Sequence, residues 1–212
     1  NILMFNFLNK GNRNYIATVI KIIGKGNPFM QQTIGNQKLT LVVGDISEQE
    51  TETIVNAVNG TLLGGGTVDG TIRRKAGEGL NEECADIFKN RFNSERVPKG
   101  TAIITKGYDL PFEYIIHAVG PVWNGDKEEK QAELAETYKS CLSLAKEYNI
   151  TSIAFPSLST GIYQFPINLA AEAAIKTVVD FLKEEDFGDV TFTLHSSRSY
   201  EVYANELREL MK

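Results

Sequence analysis

From Leu39 onward, short apolar runs alternate with longer stretches in which apolar residues recur every three or four positions. The short runs are rich in β-branched and aromatic residues and predict strands, whereas the longer stretches predict amphipathic helices. The predicted strands cover residues 39–43, 53–58, 101–105, 114–119, 152–155 and 190–195. The predicted helices cover residues 68–76, 80–88, 127–148, 169–182 and 200–210.

The order of these elements predicts an α/β fold. Strands that alternate with helices form β-α units, and several of the strands lack the polar alternation of a half-exposed sheet. We therefore expect a three-layer α/β/α domain over residues 37–212. Ligands of such sheets lie beyond the carboxyl ends of the strands, so the loops that lead from strands to helices are where chemistry is expected.

Residues 1–36 have a different character from the rest of the chain. Two short apolar patches, at 2–8 and 15–23, stand among Asn, Lys and Gly residues. We expect this segment to be an N-terminal extension of unknown role, either packed against the main domain or trailing from it.

The composition is typical of a soluble globular protein, with 42% hydrophobic and 23% charged residues. The formal net charge of -5 argues against a non-specific nucleic-acid-binding protein. An anionic ligand is compatible with this charge, because backbone amides bind phosphate without charged side chains. No apolar run approaches the roughly 18 residues of a membrane-spanning helix. Cys84 and Cys141 are far apart and have no metal-binding spacing, which favours reduced thiols in a cytoplasmic protein.

A glycine-rich loop, residues 56–70, follows the second predicted strand and leads into the first predicted helix. Three consecutive glycines, at 64–66, come just before the helix. Glycine lets the backbone approach a ligand closely, and a helix N-terminus offers free N–H groups with a partial positive charge. Together they predict an anion site that suits a phosphate. The alternative is a surface loop in which Asp69 is an ordinary helix cap.

A second loop, residues 155–166, also connects a strand to a helix. Ser159, Thr160 and Gly161 offer hydroxyl and amide groups to a phosphate, and the rings of Tyr163 and Phe165 offer apolar faces to a sugar. Taken alone, this loop is also explained as a simple turn. Two such loops in one domain are better explained by a diphosphate that is held from both sides.

Polar side chains near strand ends complete the candidate site. Asp45 either accepts from an exocyclic amine such as that of adenine or belongs to a turn. Asn56 and Asn59 either bond ribose hydroxyls or hold the loop in shape. His195, at the end of the last predicted strand, either stacks on a base or is structural. His117 lies inside an apolar strand and is expected to be a hydrogen-bonded core histidine.

These residues, in this order, resemble a macrodomain, and most of all its MacroD-type hydrolase branch. The resemblance runs from about Leu39 to the C-terminus and rests on five ordered motifs. They are Val43-Gly-Asp-Ile46, Asn56-Ala-Val-Asn59, Leu63-Gly-Gly-Gly-Thr-Val-Asp-Gly70, Ile116-His-Ala-Val-Gly-Pro121 and Phe155-Pro-Ser-Leu-Ser-Thr-Gly-Ile-Tyr163. The resemblance implies a macrodomain fold over residues 37–212, with a central mixed, largely parallel sheet.

The resemblance also implies an ADP-ribose cleft across the top of the sheet. The implied ligand-binding residues are Asp45, Ile46, Asn56, Asn59, Gly64, Gly65, Gly66, Thr67, Val68, Ser157, Ser159, Thr160, Gly161, Ile162, Tyr163 and His195. The implied reactions are removal of mono-ADP-ribose from acidic side chains of proteins and deacetylation of O-acetyl-ADP-ribose. Asp69 and Asn59 are the implied catalytic residues, with Asp69 either a general base on water or a group that positions the water while a substrate phosphate takes the proton.

The resemblance implies no metal or redox cofactor. The expected partners are ADP-ribose, O-acetyl-ADP-ribose and mono-ADP-ribosylated proteins, without a membrane or a nucleic acid, and the expected state is a monomer. An ADP-ribose-binding reader without turnover is the main alternative, and Asp69 discriminates because a reader needs no carboxylate beside the distal ribose. RNA or poly(A) binding is a third possibility, against which the acidic charge and the lack of an aromatic–basic stripe count.

The chain departs from the family pattern near the glycine-rich loop and after Tyr163. Thr67 stands where close relatives often have a fourth glycine, and Gln164 replaces a small residue. The following helix contains Arg73 and Arg74 where family members often have a histidine; an arginine there either holds a phosphate or faces water. We expect these departures to affect turnover and substrate preference more than ADP-ribose binding.

Overall fold

The computed structural model describes residues 3–5, 18–23 and 27–212. The strands are β1 (Leu3–Phe5), β2 (Thr18–Ile23), β3 (Asn27–Ile34), β4 (Gln37–Val43), β5 (Thr53–Ala57), β6 (Ala102–Lys106), β7 (Tyr114–Ala118), β8 (Ser152–Phe155) and β9 (Asp189–Leu194). The helices are α1 (Thr67–Ala76), α2 (Glu78–Asn90), α3 (Lys127–Glu147), α4 (Ile167–Glu184) and α5 (Ser197–Leu210). Every strand and helix predicted from Leu39 onward is present, with small shifts at the ends.

The described strands form a 9-stranded sheet in the order β1-β2-β3-β4-β9-β8-β5-β7-β6. The five strands from β4 to β7 in this order run parallel to their neighbours, whereas β1 to β4 pair antiparallel and β6 pairs antiparallel with β7. The expected mixed sheet with a parallel centre is therefore confirmed. The parallel strands end at a common edge, and this edge carries the loops that were singled out from the sequence.

Helices cover both faces of the sheet because alternate residues of the central strands are apolar on opposite sides. On β5, Ile54 packs with residues of α1 and α2, whereas Val55 belongs to the core formed with α3, α4 and α5. On β7, Ile115 likewise packs on the side of α1 and α2, and Ile116 packs on the side of α3, α4 and α5. The α/β/α layering follows directly from this two-sided apolar pattern.

The strand β3 lies inside the segment that was interpreted as an extension. It pairs antiparallel with β4, with Phe29 opposite Val42 and Ile34 opposite Gln37. The side chain of Met30 is 1% exposed, and that of Ile34 is 5% exposed, both in the core with α4 and α5. Residues 27–34 are thus part of the main sheet, and the turn at Gly35 leads straight into β4.

Local capping fixes where the long helices begin. The Asp126 side chain accepts a hydrogen bond from the Glu129 amide at 3.0 Å and starts α3, and Ser196 does the same for α5 through the Ser199 amide at 3.2 Å. Within the described part of the chain, no helix combines the length and the apolar character needed to cross a membrane.

Candidate functional site

A cleft of about 710 Å³ opens at the carboxyl ends of the parallel strands. Residues that follow β4, β5, β7, β8 and β9 all line it. Ligands of open α/β sheets bind at this position because the loops there are free to diverge around them. The loop 58–66 forms one wall of the cleft, and the loop 156–166 forms the facing wall.

The glycine-rich wall is a tight turn that is closed by its own backbone. Val58 forms an antiparallel bridge with Gly65, and the Asn59 amide donates to the Gly64 carbonyl at 2.9 Å. A Cβ on Gly65 would lie 2.5 Å from the Ala57 carbonyl oxygen and 2.7 Å from Asp69 Cβ. Only glycine therefore fits at Gly65, where the loop passes closely over β5 and the start of α1.

The N-terminus of α1 points its unpaired amides toward this wall. Gly66 is the N-cap residue, and no side chain caps the helix. The Gly70 amide is the first that closes a helical bond, to the Gly66 carbonyl at 3.0 Å. The preceding N–H groups, together with the partial positive charge of the helix end, are available as donors to an anion in the adjacent cleft.

The facing wall presents a run of free amides. The backbone N–H groups of residues 159–163 donate no hydrogen bond to any part of the chain that the structure describes. Buried phenols fix the loop from below: Tyr138 accepts from the Leu158 amide at 3.1 Å, and Tyr203 lies 2.8 Å from Ser157 Oγ. Ser159 has a φ of 63°. A strained, rigidly held turn of this kind is typical of a binding loop.

Unpartnered polar atoms also cluster around the cleft. Ser159 Oγ, Thr193 Oγ1 and Asn56 Oδ1 are buried and have no hydrogen-bond partner. Ser159 and Thr193 line the cleft, and Asn56 lies directly behind it on β5. Buried polar groups in native proteins are nearly always satisfied, so Ser159 Oγ and Thr193 Oγ1 are available to a ligand or solvent in the cleft.

At one end of the cleft, Asp45 caps the short 3-10 helix Ile46–Glu48. Its Oδ1 accepts from the Ser47 amide at 2.9 Å and from Ser47 Oγ at 2.6 Å, and its Oδ2 lies 3.2 Å from Lys75 Nζ. Burial acts to raise the pKa of Asp45, but the bonds from Ser47 and Lys75 outweigh it and lower the pKa. His195 is exposed on the same end.

At the other end, Asn59 on the glycine-rich wall and Tyr163 on the facing wall both line the cleft. Asn59 Oδ1 accepts from the Thr61 amide at 2.9 Å and from Thr61 Oγ1 at 2.6 Å, while its Nδ2 has no partner in the described chain. Ile162, 66% exposed, lies across the mouth, with its Cγ atoms 3.9 Å from where a Cβ on Gly66 would be. The loops thus approach each other closely at this end.

Asp69 lies beneath the glycine-rich wall and does not line the cleft. Its side chain is 3% exposed, and Arg73 Nε donates to both carboxylate oxygens at 2.8 and 2.9 Å. Asn56 Nδ2 adds a bond of 2.8 Å to Oδ1. Arg73 also donates to the Leu62 carbonyl at 2.6 Å and to Asn81 at 2.9 Å. Arg73 therefore does not simply face water, because its guanidinium ties the loop to α1 and α2, whereas Arg74 is exposed.

The network continues from Asn56 to His117, which is buried, as expected. His117 Nδ1 lies 3.3 Å from Asn56 Nδ2 and so accepts, because an amide nitrogen only donates. The ring proton is therefore on Nε2, which donates to Thr105 Oγ1 at 2.8 Å. Burial, together with the charge of Arg73, lowers the pKa of His117 to about 3. The imidazole is thus a neutral structural link behind the site.

Most of the predicted ligand-binding residues come together in the cleft. Those that line it are Asp45, Ile46, Asn59, Gly65, Gly66, Thr67, Val68, Ser157, Ser159, Thr160, Gly161, Ile162, Tyr163 and His195. Asn56, Gly64 and Asp69 lie behind this surface. The lining residues that sequence reasoning missed are Gly44, Ala57, Val58, Thr71, Ala118, Gly120, Pro156, Leu158 and Thr193. Most of them are small or apolar, so their residue types do not indicate binding. Only their positions near the ends of strands could have predicted that they line the cleft.

The profile of one protein family, described as Macro domain, matches residues 55–174. A macro domain-containing protein of Caldanaerobacter subterraneus is 44% identical over 176 residues, 83% of this chain and 99% of the relative. An Oceanobacillus iheyensis macrodomain with ADP is 44% identical, with a TM-score of 0.84 over 86% of this chain and 96% of that one. A Trypanosoma brucei macrodomain in complex with ADP-ribose is 34% identical, with a TM-score of 0.70 over 79% of this chain and 68% of that one.

Proposed function

The chain belongs to the Macro domain family, and we propose from this premise that its cleft binds ADP-ribose. The Oceanobacillus iheyensis relative was solved with ADP and the Trypanosoma brucei relative with ADP-ribose. The observation that carries the proposal is the pair of facing walls with free amides: the N-terminus of α1 on one side and residues 159–163 on the other. A diphosphate between them receives donors from both sides without a charged side chain.

The adenine lies at the end of the cleft that contains Asp45. The lowered pKa keeps this carboxylate ionised, so that its Oδ2 accepts a hydrogen bond from the exocyclic amine. The Ile46 amide is beside it, and the exposed imidazole of His195 stacks on the base. Lys75, 3.2 Å from Oδ2, shares this oxygen with the ligand.

The distal ribose lies at the opposite end, between Asn59 and Tyr163. The unpartnered Nδ2 of Asn59 donates to a ribose hydroxyl, and the ring of Tyr163 packs against the sugar face. This placement leaves the first carbon of the ribose at the mouth of the cleft, where the group attached to it leaves toward solvent.

We further propose that the chain hydrolyses the ester that joins the distal ribose to an acidic side chain, and the acetyl ester of O-acetyl-ADP-ribose. Water adds across the ester bond, giving the free acid and a free sugar hydroxyl. The loop amides stabilise the negative charge that develops. Of the two roles considered for Asp69, we infer positioning: Arg73 holds its carboxylate beneath Gly65, so Asp69 acts on the water through the loop that lines the cleft, and a substrate phosphate takes the proton of the water.

A reader module without turnover is the second candidate. The observation that favours it is the same ion pair, because a carboxylate held by Arg73 and Asn56 is not free to take a proton from water in the cleft. The two candidates share the ligand and differ in the fate of an ester-linked substrate.

The experiment that separates them uses proteins mono-ADP-ribosylated on glutamate, on serine or on arginine. We expect ADP-ribose to be released from the glutamate linkage only. The Asp69→Ala variant is expected to keep ADP-ribose affinity in calorimetry but to lose hydrolysis. Binding of ADP-ribose without its release by the native chain would favour the reader module. Full hydrolysis by Asp69→Ala would contradict the role of Asp69. No association of the native chain with ADP-ribose at about millimolar concentration would contradict the proposal as a whole.

A further inference from the structure

Arg96 lies beside the glycine-rich wall, next to the Asn59 end of the cleft. A Cβ on Gly60 would lie 3.7 Å from both Arg96 Cβ and Arg96 Nε. The next residue, Val97, fixes this position, because its amide donates to the Gly60 carbonyl at 2.8 Å. The segment that follows α2 is therefore attached to the residue directly after Asn59.

Arg96 also acts electrostatically on Tyr163, which lies on the facing wall. Burial raises the pKa of the Tyr163 phenol, and the positive charge of Arg96 acts in the opposite direction. Arg96 does not line the cleft itself. Arg96 therefore lies beside Gly60 on one wall and near enough to Tyr163 on the other to act on its phenol, without lining the cleft.

Arg96 is exposed, and its guanidinium has no salt bridge or hydrogen bond with any residue that the structure describes. Arg73, by comparison, donates from all three of its guanidinium nitrogens to nearby residues. Lys99 on the same segment is exposed and unpaired as well, while Glu95 is the nearby acid in sequence. A free guanidinium is well suited to bind a carboxylate, which it holds through two parallel hydrogen bonds.

We propose that Arg96 selects target proteins with further Asp or Glu residues next to the modified side chain. This inference rests on the proposed function, because the peptide reaches the mouth of the cleft only if its acidic side chain carries the distal ribose. The peptide then crosses the loops beside Arg96. A carboxylate next to the modified residue is within reach of the Arg96 guanidinium. The substrate class is thus an acidic segment rather than an isolated acidic residue.

The test measures binding of peptides that carry ADP-ribose through a non-hydrolysable amide at one position. One peptide has Glu on both sides of the modified residue, and the other has Gln. We expect fluorescence anisotropy to show about two- to fivefold tighter binding of the Glu peptide, the size typical of an exposed ion pair. Arg96→Gln is expected to abolish this preference, Arg96→Lys to keep part of it, and added salt to weaken it.

Lys139→Gln serves as the matched control, since Lys139 is an exposed lysine on α3 outside the cleft and its loss changes the net charge equally. The control is expected to keep the preference, and Arg96→Gln is expected to keep its affinity for free ADP-ribose. Equal binding of the two peptides by the native chain, or an equal loss of free ADP-ribose affinity in Arg96→Gln, would overturn the inference. Because only binding is measured, a lack of turnover affects the proposed hydrolysis and leaves this test intact.

Discussion

At the scale of single residues, Gly65 is the position where the cleft tolerates the least change. Even the methyl group of Gly65→Ala would lie 2.5 Å from the Ala57 carbonyl oxygen and 2.7 Å from Asp69 Cβ. The loop must move away from β5, which misaligns its amides with the phosphates. We expect ADP-ribose affinity to fall at least about tenfold in calorimetry, a loss of about 1.4 kcal/mol.

The control for Gly65→Ala is Gly70→Ala in the same segment. A Cβ on Gly70 meets nothing within 4 Å, and alanine in a helix is about 0.5–1 kcal/mol more stable than glycine. We expect this variant to unfold at a higher urea concentration with unchanged ADP-ribose affinity. Equal affinities of Gly65→Ala and Gly70→Ala would rule out the close approach as the reason for the glycine.

The ion pair between Asp69 and Arg73 is the other sensitive contact at this scale. Arg73→Met would leave the Asp69 carboxylate buried with Asn56 as its partner, and would leave the Leu62 carbonyl without a donor. Removing one member of a buried pair costs roughly 3–5 kcal/mol, and the slight exposure of Arg73 places the expected loss at about 3 kcal/mol. Urea unfolding measures it.

A double-mutant cycle isolates the pair from the surrounding contacts. We expect Asp69→Asn and Arg73→Met together to cost less than the sum of the two single variants, with a coupling of about 1–3 kcal/mol. Additive losses would mean that the two side chains do not stabilise each other. Arg73→Lys is an informative comparison, because it keeps the charge but lacks the fork that reaches Leu62 and Asn81.

The residue scale is also where sequence reasoning was least complete. The lining by Asp45, Asn59 and Tyr163 was predictable because each follows a strand end in a recognisable motif. The engagement of Arg73 was not, because its partners Leu62 and Asn81 lie on different elements and meet only after α1 and α2 pack. Side-chain pairing across elements has no periodic signal along the chain.

At the scale of elements, the central strands and all the long helices were predictable. Runs such as 114–119 and 152–155 are short, apolar and bounded by turn residues, and periods of three to four residues marked the helices. The strand β3 was not predicted, because Pro28, Gln31 and Gln32 interrupt its apolar character. Its pairing depends instead on β4, including a side-chain bond of 3.1 Å from Gln31 to Thr40.

Gln37 is the first residue of β4, and its side chain connects this strand to the end of α4. Its amide nitrogen donates to the carbonyls of Leu182 and Glu185 at 2.7 and 2.9 Å, and its oxygen accepts from the amides of Phe187 and Gly188 at 2.7 and 2.8 Å. Gln37→Ala leaves these backbone groups unsatisfied. We expect a loss of about 2–4 kcal/mol in the free energy of unfolding, because each unsatisfied buried group costs about 1–3 kcal/mol and solvent recovers part.

Lys38→Ala is the neighbouring control for Gln37→Ala. The Lys38 side chain is exposed, and its backbone amide, which alanine would keep, donates to Asp189 Oδ1 at 2.9 Å. We expect its unfolding midpoint in urea to stay close to that of the native chain. A similar small change in both variants would show that the helix end is satisfied by solvent when Gln37 is absent.

At the scale of the whole molecule, the sheet should need β3 in order to stay intact. Removal of residues 1–36 exposes the core that Met30 and Ile34 now cover. Burial of each such side chain contributes about 1.5–3 kcal/mol, so we expect a loss of about 3–6 kcal/mol. Removal of residues 1–26 keeps β3 and should cost less. Equal thermal midpoints for the two truncated chains would assign β3 to a dispensable extension.

The stability of the whole molecule should also depend on His117, which links β7 to the network behind the cleft. Its pKa is about 3 in the folded chain and about 6.5 when unfolded, so the unfolded chain binds more protons between these values. Stability from this group is complete above about pH 6.5 and falls as the pH decreases toward 3. We expect the free energy of unfolding in urea to be about 2 kcal/mol lower at pH 5 than at pH 7. His117→Gln should remove most of this dependence of the unfolding free energy on pH between about pH 5 and 6.5. Thr105→Val, which keeps the imidazole, should retain the dependence. An unchanged dependence in His117→Gln would show that another group is responsible for it.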